Sequence, residues 1–172
     1  MYYKTIHPSP VGILTLASDG SNLVGLWLVG HKYYGGTIAD AMTEKNDLPV
    51  FEVAKLWLNR YFIGEKPAIS ELPLSPIGGA FRQDVWRMLC EIPYGTVRTY
   101  GDIAKELAAK MGRESMSAQA VGGAVGHNPI SIIIPCHRVV GAKNELTGYA
   151  GGIAAKIKLL ALEGVETSAL RA

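Results

Sequence analysis

A stretch rich in proline and glycine, residues 65–79, divides the chain into two parts whose residue patterns differ. It contains three prolines and the pair Gly78-Gly79, residue types that interrupt both helices and strands. Before it, short β-branched and aromatic runs predict strands, and after it apolar residues recur at helical spacing. We therefore predict an α/β N-terminal domain, residues 1–76, and a mostly helical C-terminal domain, residues 77–172.

The N-terminal part has the pattern of a β-meander followed by a helix. Turn residues such as Pro8-Ser9-Pro10 separate the apolar runs. Three strands are predicted, at residues 2–6, 12–17 and 23–29. A helix is predicted from Pro49 to Ile63, because Gly64 marks its end. Its expected apolar side consists of four residues, Val53, Leu56, Leu58 and Phe62.

The C-terminal part is predicted to contain four helices. They cover residues 80–90, 100–110, 117–125 and 152–163. Thr99 and Ser117 stand at N-cap positions of the second and third helices, and the short turn between these two suggests a helix-turn-helix. On the last helix, Ile153, Ile157 and Leu160 are expected to face the core, and Lys156 is expected to be a solvated or locally paired charge.

Composition excludes several classes of protein. With 48% hydrophobic residues the chain can bury a core, yet its uncharged apolar runs fall short of the roughly 20 residues of a membrane span. No signal-peptide core follows Met1, so we expect a cytoplasmic monomer. The two cysteines, Cys90 and Cys136, are expected to be free thiols. No zinc-ligand spacing is present, and we expect neither a metal nor a cofactor.

The segment Pro135-Cys136-His137-Arg138 places a thiol beside an imidazole. By itself, a cysteine after a run of aliphatic residues is more often a buried filler. A neighbouring histidine can act as a base toward it, and an acid such as Glu163 could orient that histidine. Adjacent residues of an extended chain point in opposite directions, so we expect His137 to reach Cys136 through a water or after a backbone bend.

The wider frame resembles the O6-alkylguanine-DNA alkyltransferase family of single-turnover repair proteins. The matching motifs are Gly122-Gly123-Ala124, Asn128-Pro129, Pro135 to Arg138, Val139-Val140-Gly141, Gly148 to Gly152 and Leu162-Glu163-Gly164. The resemblance implies a ribonuclease H-like N-terminal scaffold and a C-terminal domain that binds duplex DNA in the minor groove and rotates the damaged base out of the stack. The expected substrate is O6-alkylguanine, with O4-alkylthymine as a second one.

The resemblance also implies roles for individual residues. Cys136 would accept the alkyl group, His137 and Glu163 would relay its proton, Asn128 would align the cysteine segment, and Tyr100 would donate a proton to the departing guanine. Binding of the extruded base is implied for four residues, Val139, Tyr149, Ala150 and Gly151. DNA contacts are assigned to Thr99, Ala118, Gln119, Gly122 and Arg138.

Some alternatives stay open at the level of sequence. Arg138 could contact a phosphate or brace the site by internal pairing. The glycine pair in the third C-terminal helix indicates a close approach, by another helix or by nucleic acid. Gln119 stands where most members of the resembled family have an arginine, which fills the gap left by the rotated base. We expect Gln119 to keep this role as a wedge, with weaker DNA binding. A cysteine hydrolase, a plain DNA-binding module and a lesion-binding protein without repair activity are the rival functions.

Overall fold

A computed structural model describes residues 1–171, and its N-terminal part is a four-stranded sheet packed on one helix. The strands are β1 (Tyr2–Ser9), β2 (Gly12–Ser18), β3 (Leu23–Leu28) and β4 (Met42–Glu44), in the spatial order β3-β2-β1-β4. The first three pair antiparallel and β4 runs parallel to β1. The three strands predicted from sequence are therefore confirmed within a few residues, because tight turns separate them.

Helix α1 (Pro49–Phe62) follows the sheet and starts on a proline, whose fixed φ suits the first helical turn. The apolar side predicted for it was wrong in part, since Val53 and Leu56 are 45% and 64% exposed. The buried side instead consists of Val50, Phe51, Ala54, Trp57, Leu58 and Tyr61. The large aromatic rings at 57 and 61, four residues apart, decide which side faces the core.

The proline-rich segment after α1 is not a free linker. Pro73 O accepts a hydrogen bond from Leu23 N (2.8 Å), and Ser75 N donates to Leu23 O (2.9 Å). Leu72 is buried in the main core. The segment therefore adds itself to the β3 edge of the sheet and covers backbone groups that would otherwise be unpaired.

The C-terminal part, up to residue 171, contains four α-helices and one very short two-stranded pairing. The helices are α2 (Ala80–Cys90), α3 (Tyr100–Lys110), α4 (Ala118–Gly126) and α5 (Ile153–Leu162). Strands β5 (Arg98–Thr99) and β6 (Val139–Val140) pair in parallel and join the start of α3 to the segment after Cys136. The four predicted helices are confirmed, and the molecule combines an α/β N-terminal part with a helical C-terminal part.

Local capping explains where α3 and α4 begin. The Thr99 hydroxyl accepts from Asp102 N at 3.0 Å, and the Ser117 hydroxyl accepts from Gln119 N and Ala120 N at 3.1 and 3.2 Å. Each bond satisfies a backbone donor that the first helical turn leaves without a partner. These caps place the N-terminal ends of both helices at fixed points on the same side of the C-terminal part.

The glycine pair of α4 is not explained by helix packing. A Cβ added at Gly122 would lie 3.8 Å from the Tyr100 ring, an ordinary contact, and one at Gly123 would meet nothing within 4 Å. Helix α4 is instead held by the indole of Trp86, which donates to Ala124 O at 2.9 Å. The reading that a neighbouring helix requires both glycines is therefore wrong.

The apolar face predicted for α5 was also wrong in part. Leu160 is buried, but Ile153 is 36% exposed and Ile157 is only half-buried. The buried side of this helix consists of Lys156, Leu159 and Leu160. None of the helices within residues 1–171 has the length and apolar character needed to cross a membrane.

Candidate active site

Cys136 begins a single 3-10 turn, Cys136–Arg138, and is 6% exposed. The aliphatic run before it is not an extended strand. Ile132 has a left-handed backbone (φ 71°), and Cys136 N donates to Ile134 O at 2.8 Å. The chain therefore bends just before the cysteine, so Cys136 and His137 do not project on opposite sides of a strand.

The protonation of Cys136 is set by its surroundings. Burial raises the pKa of the thiol, because the charged form would lose its solvation, while a hydrogen bond from Asn128 and the nearby charge of Lys156 act in the opposite direction. The resting group is therefore a thiol. A base is needed for it to react as a thiolate at neutral pH.

His137, the residue that follows Cys136, is the nearest titratable group along the chain. Its side chain is fully buried, and Nε2 donates to Glu163 Oε2 at 2.6 Å. Burial lowers the pKa of His137, although Glu163 acts against this shift, so the ring is neutral near pH 7. Because Nε2 carries the proton, the lone pair lies on Nδ1, which has no hydrogen-bond partner among residues 1–171. Nδ1 is therefore the atom free to accept a proton.

Glu163 lies directly after α5, and its carboxylate accepts hydrogen bonds from several surrounding residues. Oε1 accepts from Arg138 Nε (2.7 Å) and from Gly95 N (3.2 Å). Oε2 accepts from His137, from the Tyr61 hydroxyl (2.6 Å) and from Arg138 Nη2 (3.1 Å). Burial alone would raise the pKa of Glu163, but the bonds from His137 and Arg138 outweigh it and lower the pKa to about 2. The group remains a carboxylate at any physiological pH.

Arg138 braces the site from within. Two of its nitrogens bond Glu163, and Nη1 donates to Ile92 O at 2.7 Å. The side chain is buried and lies over the Tyr94 ring, 5.7 Å from its centroid. Of the two readings left open by the sequence, this geometry favours the internal pairing over a phosphate contact, because the buried guanidinium donates from all three of its nitrogens inside the protein.

Asn128 joins the end of α4 to the cysteine segment. Its Nδ2 donates to Ile134 O at 2.8 Å, its Oδ1 accepts from Ile130 N at 3.0 Å, and its side chain is buried. Both bonds hold the backbone that leads into Cys136. The position of the sulfur relative to α4 therefore depends on this amide.

A small cavity of about 50 Å³ adjoins Cys136. Its walls include Tyr100, Asn128, Tyr149 and Ala150, four of the residues that the sequence assigned to the site, together with His31. The Tyr149 hydroxyl is buried and has no hydrogen-bond partner in residues 1–171. The cavity is far below the roughly 300 Å³ at which ordinary ligand pockets begin, so part of its wall must move before a base can enter.

Two other residues assigned to base binding, Val139 and Gly151, do not line this cavity and have internal contacts. Val139 O accepts from Lys156 Nζ at 2.6 Å. At Gly151, an added Cβ would lie 2.8 Å from the Tyr149 ring and 3.2 Å from Leu28. The absence of a side chain at Gly151 therefore lets the loop that carries Tyr149 pack closely on β3.

A separate surface groove lies beside the cavity. It is lined by four of the five residues that the sequence assigned to DNA contacts, Thr99, Ala118, Gln119 and Gly122, and also by Tyr100 and Gly123. Gln119 is exposed at the N-terminal end of α4. Tyr100 and Gly122 line both the groove and the cavity, so the two sites are adjacent. Arg138 belongs to neither.

Two family models match the chain. "6-O-methylguanine DNA methyltransferase, ribonuclease-like domain" covers residues 1–76, and "6-O-methylguanine DNA methyltransferase, DNA binding domain" covers residues 80–165. The chain belongs to the 6-O-methylguanine DNA methyltransferase family. Among its relatives, the methylated-DNA–protein-cysteine methyltransferase of Haemophilus influenzae is 43% identical over 95% of this chain and 87% of its own length.

Solved structures show the same similarity. The O6-methylguanine methyltransferase of Mycobacterium tuberculosis superposes with a TM-score of 0.79 at 42% identity, covering 95% of this chain and 93% of that one. A structure of the M. tuberculosis protein OGT in complex with DNA superposes with a TM-score of 0.78 at 42% identity, covering 99% and 95% of the two chains. Fold and sequence thus place both parts of this chain in the methyltransferase family.

Lys156 is a buried charge in this member of the methyltransferase family, and the expectation of a solvated side chain was wrong. It is 0% exposed, and Nζ donates to Val139 O and to Thr147 O at 2.6 and 3.3 Å. Burial lowers its pKa to about 8. A sequence signal did exist, since Lys156 precedes Leu159 and Leu160 by three and four residues and so shares their helical face.

Two further residues near the methyltransferase site carried no clear signal in the sequence. Tyr61 of α1 reaches Glu163 across 102 positions of the chain, and burial raises the pKa of its hydroxyl so that it stays a donor. His31, which the sequence offered no reason to select, lies on the wall of the Cys136 cavity. Both come from the N-terminal part, which therefore contributes side chains to the site as well as a scaffold.

Proposed function

We propose that this protein repairs DNA by moving the alkyl group of O6-alkylguanine irreversibly onto Cys136 Sγ. The observation that carries the proposal is that the Cys136 thiol shares a cavity with Tyr100 and Asn128, and is followed by a neutral His137 whose Nδ1 is free. Membership in the methyltransferase family and the similarity to a structure solved with DNA support it. Each residue role below is part of this proposal.

The reaction begins with proton transfer and attack. His137 Nδ1 takes the thiol proton, directly or through one bridging water, and the Glu163 carboxylate stabilises the imidazolium that forms. The sulfur attacks the alkyl carbon in line, a C–S bond forms, and the bond from that carbon to guanine O6 breaks. The bonding electron pair goes to the guanine.

Tyr100 assists the departing base. Burial raises the pKa of its phenol, so the group is protonated, and its oxygen accepts from Thr147 Oγ1 at 3.2 Å. Its own proton is therefore free to be donated to the ring as negative charge develops there. The imidazolium then returns its proton to the Tyr100 phenolate through solvent, so that overall a proton from the thiol replaces the alkyl group on guanine. Sulfur keeps the alkyl group as a thioether, which imidazole and carboxylate do not cleave, so each molecule acts once.

We also propose that α3, the turn at residues 111–117 and α4 form a helix-turn-helix that presents the groove to duplex DNA. The boundary near residue 76 then separates this DNA-binding domain from the N-terminal one. The exposed Gln119 and the open side of Gly123 support this arrangement, because a helix without side chains there lets a sugar-phosphate backbone approach closely. A base that leaves the stack beside Gln119 would enter past Tyr100 and Gly122.

Stoichiometric methylation tests the function. After incubation with excess duplex DNA that contains O6-methylguanine, intact-mass spectrometry should show one added methyl group per protein molecule, and peptide mapping should place it on Cys136. Further DNA should add nothing. Release of methyl groups over repeated cycles would instead support a hydrolase, and binding of the lesion without any mass change would support a lesion-binding protein.

Gln119→Arg should tighten DNA binding. The added cation would lie in the groove at the N-terminal end of α4, and each phosphate contact steepens the dependence of log K on log salt by roughly 0.9. Fluorescence anisotropy with a labelled duplex at several salt concentrations measures both effects. Ser21→Arg, which adds the same charge in the exposed β2–β3 turn, is the matched control. Equal affinities for Gln119→Arg and the native protein would contradict the assignment of Gln119 to the DNA surface.

A further inference from the structure

His31 lies just after β3 and is buried, with 5% of its surface exposed. Its ring forms part of the wall of the same cavity as Cys136. It is the contribution of the N-terminal part to that wall, since the other lining residues all lie between positions 100 and 150. The proposed chemistry assigns no task to this ring.

Both ring nitrogens of His31 are held. Nδ1 accepts from Tyr33 N at 3.1 Å, and Nε2 lies 3.3 Å from Ser131 Oγ. Burial lowers the pKa of His31 to about 4, so the ring is neutral and its single proton lies on Nε2, directed at Ser131. Because Ser131 belongs to the segment that leads into Cys136, the ring is fixed relative to the acceptor sulfur.

The loop that carries Tyr149 and Ala150 packs against the same part of the chain as His31. Ala150 O accepts from Lys32 N at 2.9 Å, and Leu28 packs against Gly151. The cavity is only about 50 Å³, so entry of a base requires part of its wall to move. The hydrogen bonds to Tyr33 and Ser131 oppose displacement of the His31 ring when this happens.

We propose that His31 is a specificity-determining residue that limits the size of the alkyl group Cys136 can accept. The inference rests on the proposed function. The ring is part of the wall of the cavity that adjoins the sulfur, so a methyl group fits within the cavity, whereas a bulkier group has to displace the ring from its two hydrogen bonds. Discrimination by the size of an apolar pocket is typically about 10- to 200-fold.

The test compares two substrates in one duplex sequence, with O6-methylguanine or O6-benzylguanine at the same position. Second-order rate constants for uptake by Cys136 are measured for the native protein, for His31→Ala and for His31→Phe. The benzyl-to-methyl ratio should rise about tenfold in His31→Ala. It should stay near the native ratio in His31→Phe, which keeps a ring of similar size without its hydrogen bonds. The matched control is His7→Ala, which removes a histidine of β1 that is hydrogen-bonded to Asn59 of α1, and its ratio should be unchanged.

The outcomes separate a specificity role from a structural one. If His31→Ala slows both reactions by the same factor, the residue only supports the fold and the inference is overturned. Should that variant not fold, as judged by circular dichroism, His31→Asn carries the same comparison with a shorter polar side chain, and an unchanged ratio there also overturns it. Failure of the underlying function is distinguishable, because the native protein would then acquire no alkyl group from either substrate.

Discussion

Cys136→Ser should lose all detectable alkyl uptake while DNA binding stays near the native level. A serine hydroxyl is far less acidic than a thiol, and a neutral imidazole in a buried site cannot generate its alkoxide without further help. The side chain lies in the cavity and not along the groove of Thr99, Ala118 and Gln119, so the DNA surface is preserved. Intact-mass spectrometry measures uptake, and anisotropy with a lesion-containing duplex measures binding.

Cys90 offers a matched control for this experiment. It is the other free thiol, half-buried on α2, and burial raises its pKa to about 11. Cys90→Ser should therefore take up one methyl group as the native protein does. Methylation of the Cys136→Ser variant, or a methyl group mapped to Cys90, would contradict the assignment of the acceptor.

Glu163→Gln should lower both stability and alkyl transfer. The amide removes the charge that pairs with the buried Arg138, and breaking a buried ion pair in this way costs about 3–5 kcal/mol. Its NH2 group also replaces one of two oxygens that only accept hydrogen bonds here, so donors on that side lose their partner. His137 would lose the carboxylate that fixes its tautomer and stabilises its charged form.

Urea unfolding and single-turnover methyl transfer measure these two losses. Glu166→Gln is the matched control, because that carboxylate is exposed and bonds only to Ser168. The control should unfold within about 0.5 kcal/mol of the native protein, as exposed substitutions usually do. Native-like stability of Glu163→Gln would show that the hydrogen bonds to this residue contribute little to the free energy of unfolding.

The lowered pKa of Glu163 predicts that the stability of the protein depends on pH. The pKa of this carboxyl group in the folded protein is about 2, below the ordinary value of 4.5, so folding favours the charged form. The associated stabilisation is complete above the unfolded-state pKa and is lost as the pH falls from about 4.5 toward 2; one pKa unit corresponds to about 1.4 kcal/mol. The stability advantage of the native protein over Glu163→Gln should therefore shrink across this range. If the difference in stability between the two proteins stays constant over this pH range, the charge of Glu163 does not contribute to stability as predicted.

Local signals in the sequence were sufficient for most of the secondary structure. The turns that separate β1, β2 and β3, the Thr99 and Ser117 caps and the glycine after α5 each depend on residues only a few positions apart. Interactions of this range are present in the sequence itself. The predicted strands and helices were therefore confirmed within a few residues of their ends.

The side of a helix that faces the core was less predictable than the position of the helix in the sequence. On α1 and α5 the sequence selected some exposed residues, Val53, Leu56 and Ile153, in place of the side chains that reach the core. An apolar pattern shows that a helix has a buried side, but the neighbouring elements decide which residues are covered. On α5 a lysine takes one of the core positions, because two backbone carbonyls lie within reach of its Nζ.

The sequence by itself determined the secondary structure, the family and the pairing of a thiol with a histidine in one short motif. Only the tertiary structure showed that Arg138 points inward, that Tyr61 reaches Glu163 and that His31 lines the cavity of Cys136. The hydrogen bonds of Arg138 and Tyr61 to Glu163 join residues that are 25 and 102 positions apart. Their partners are chosen by how the two parts of the chain pack together, and no local pattern of residues records that choice.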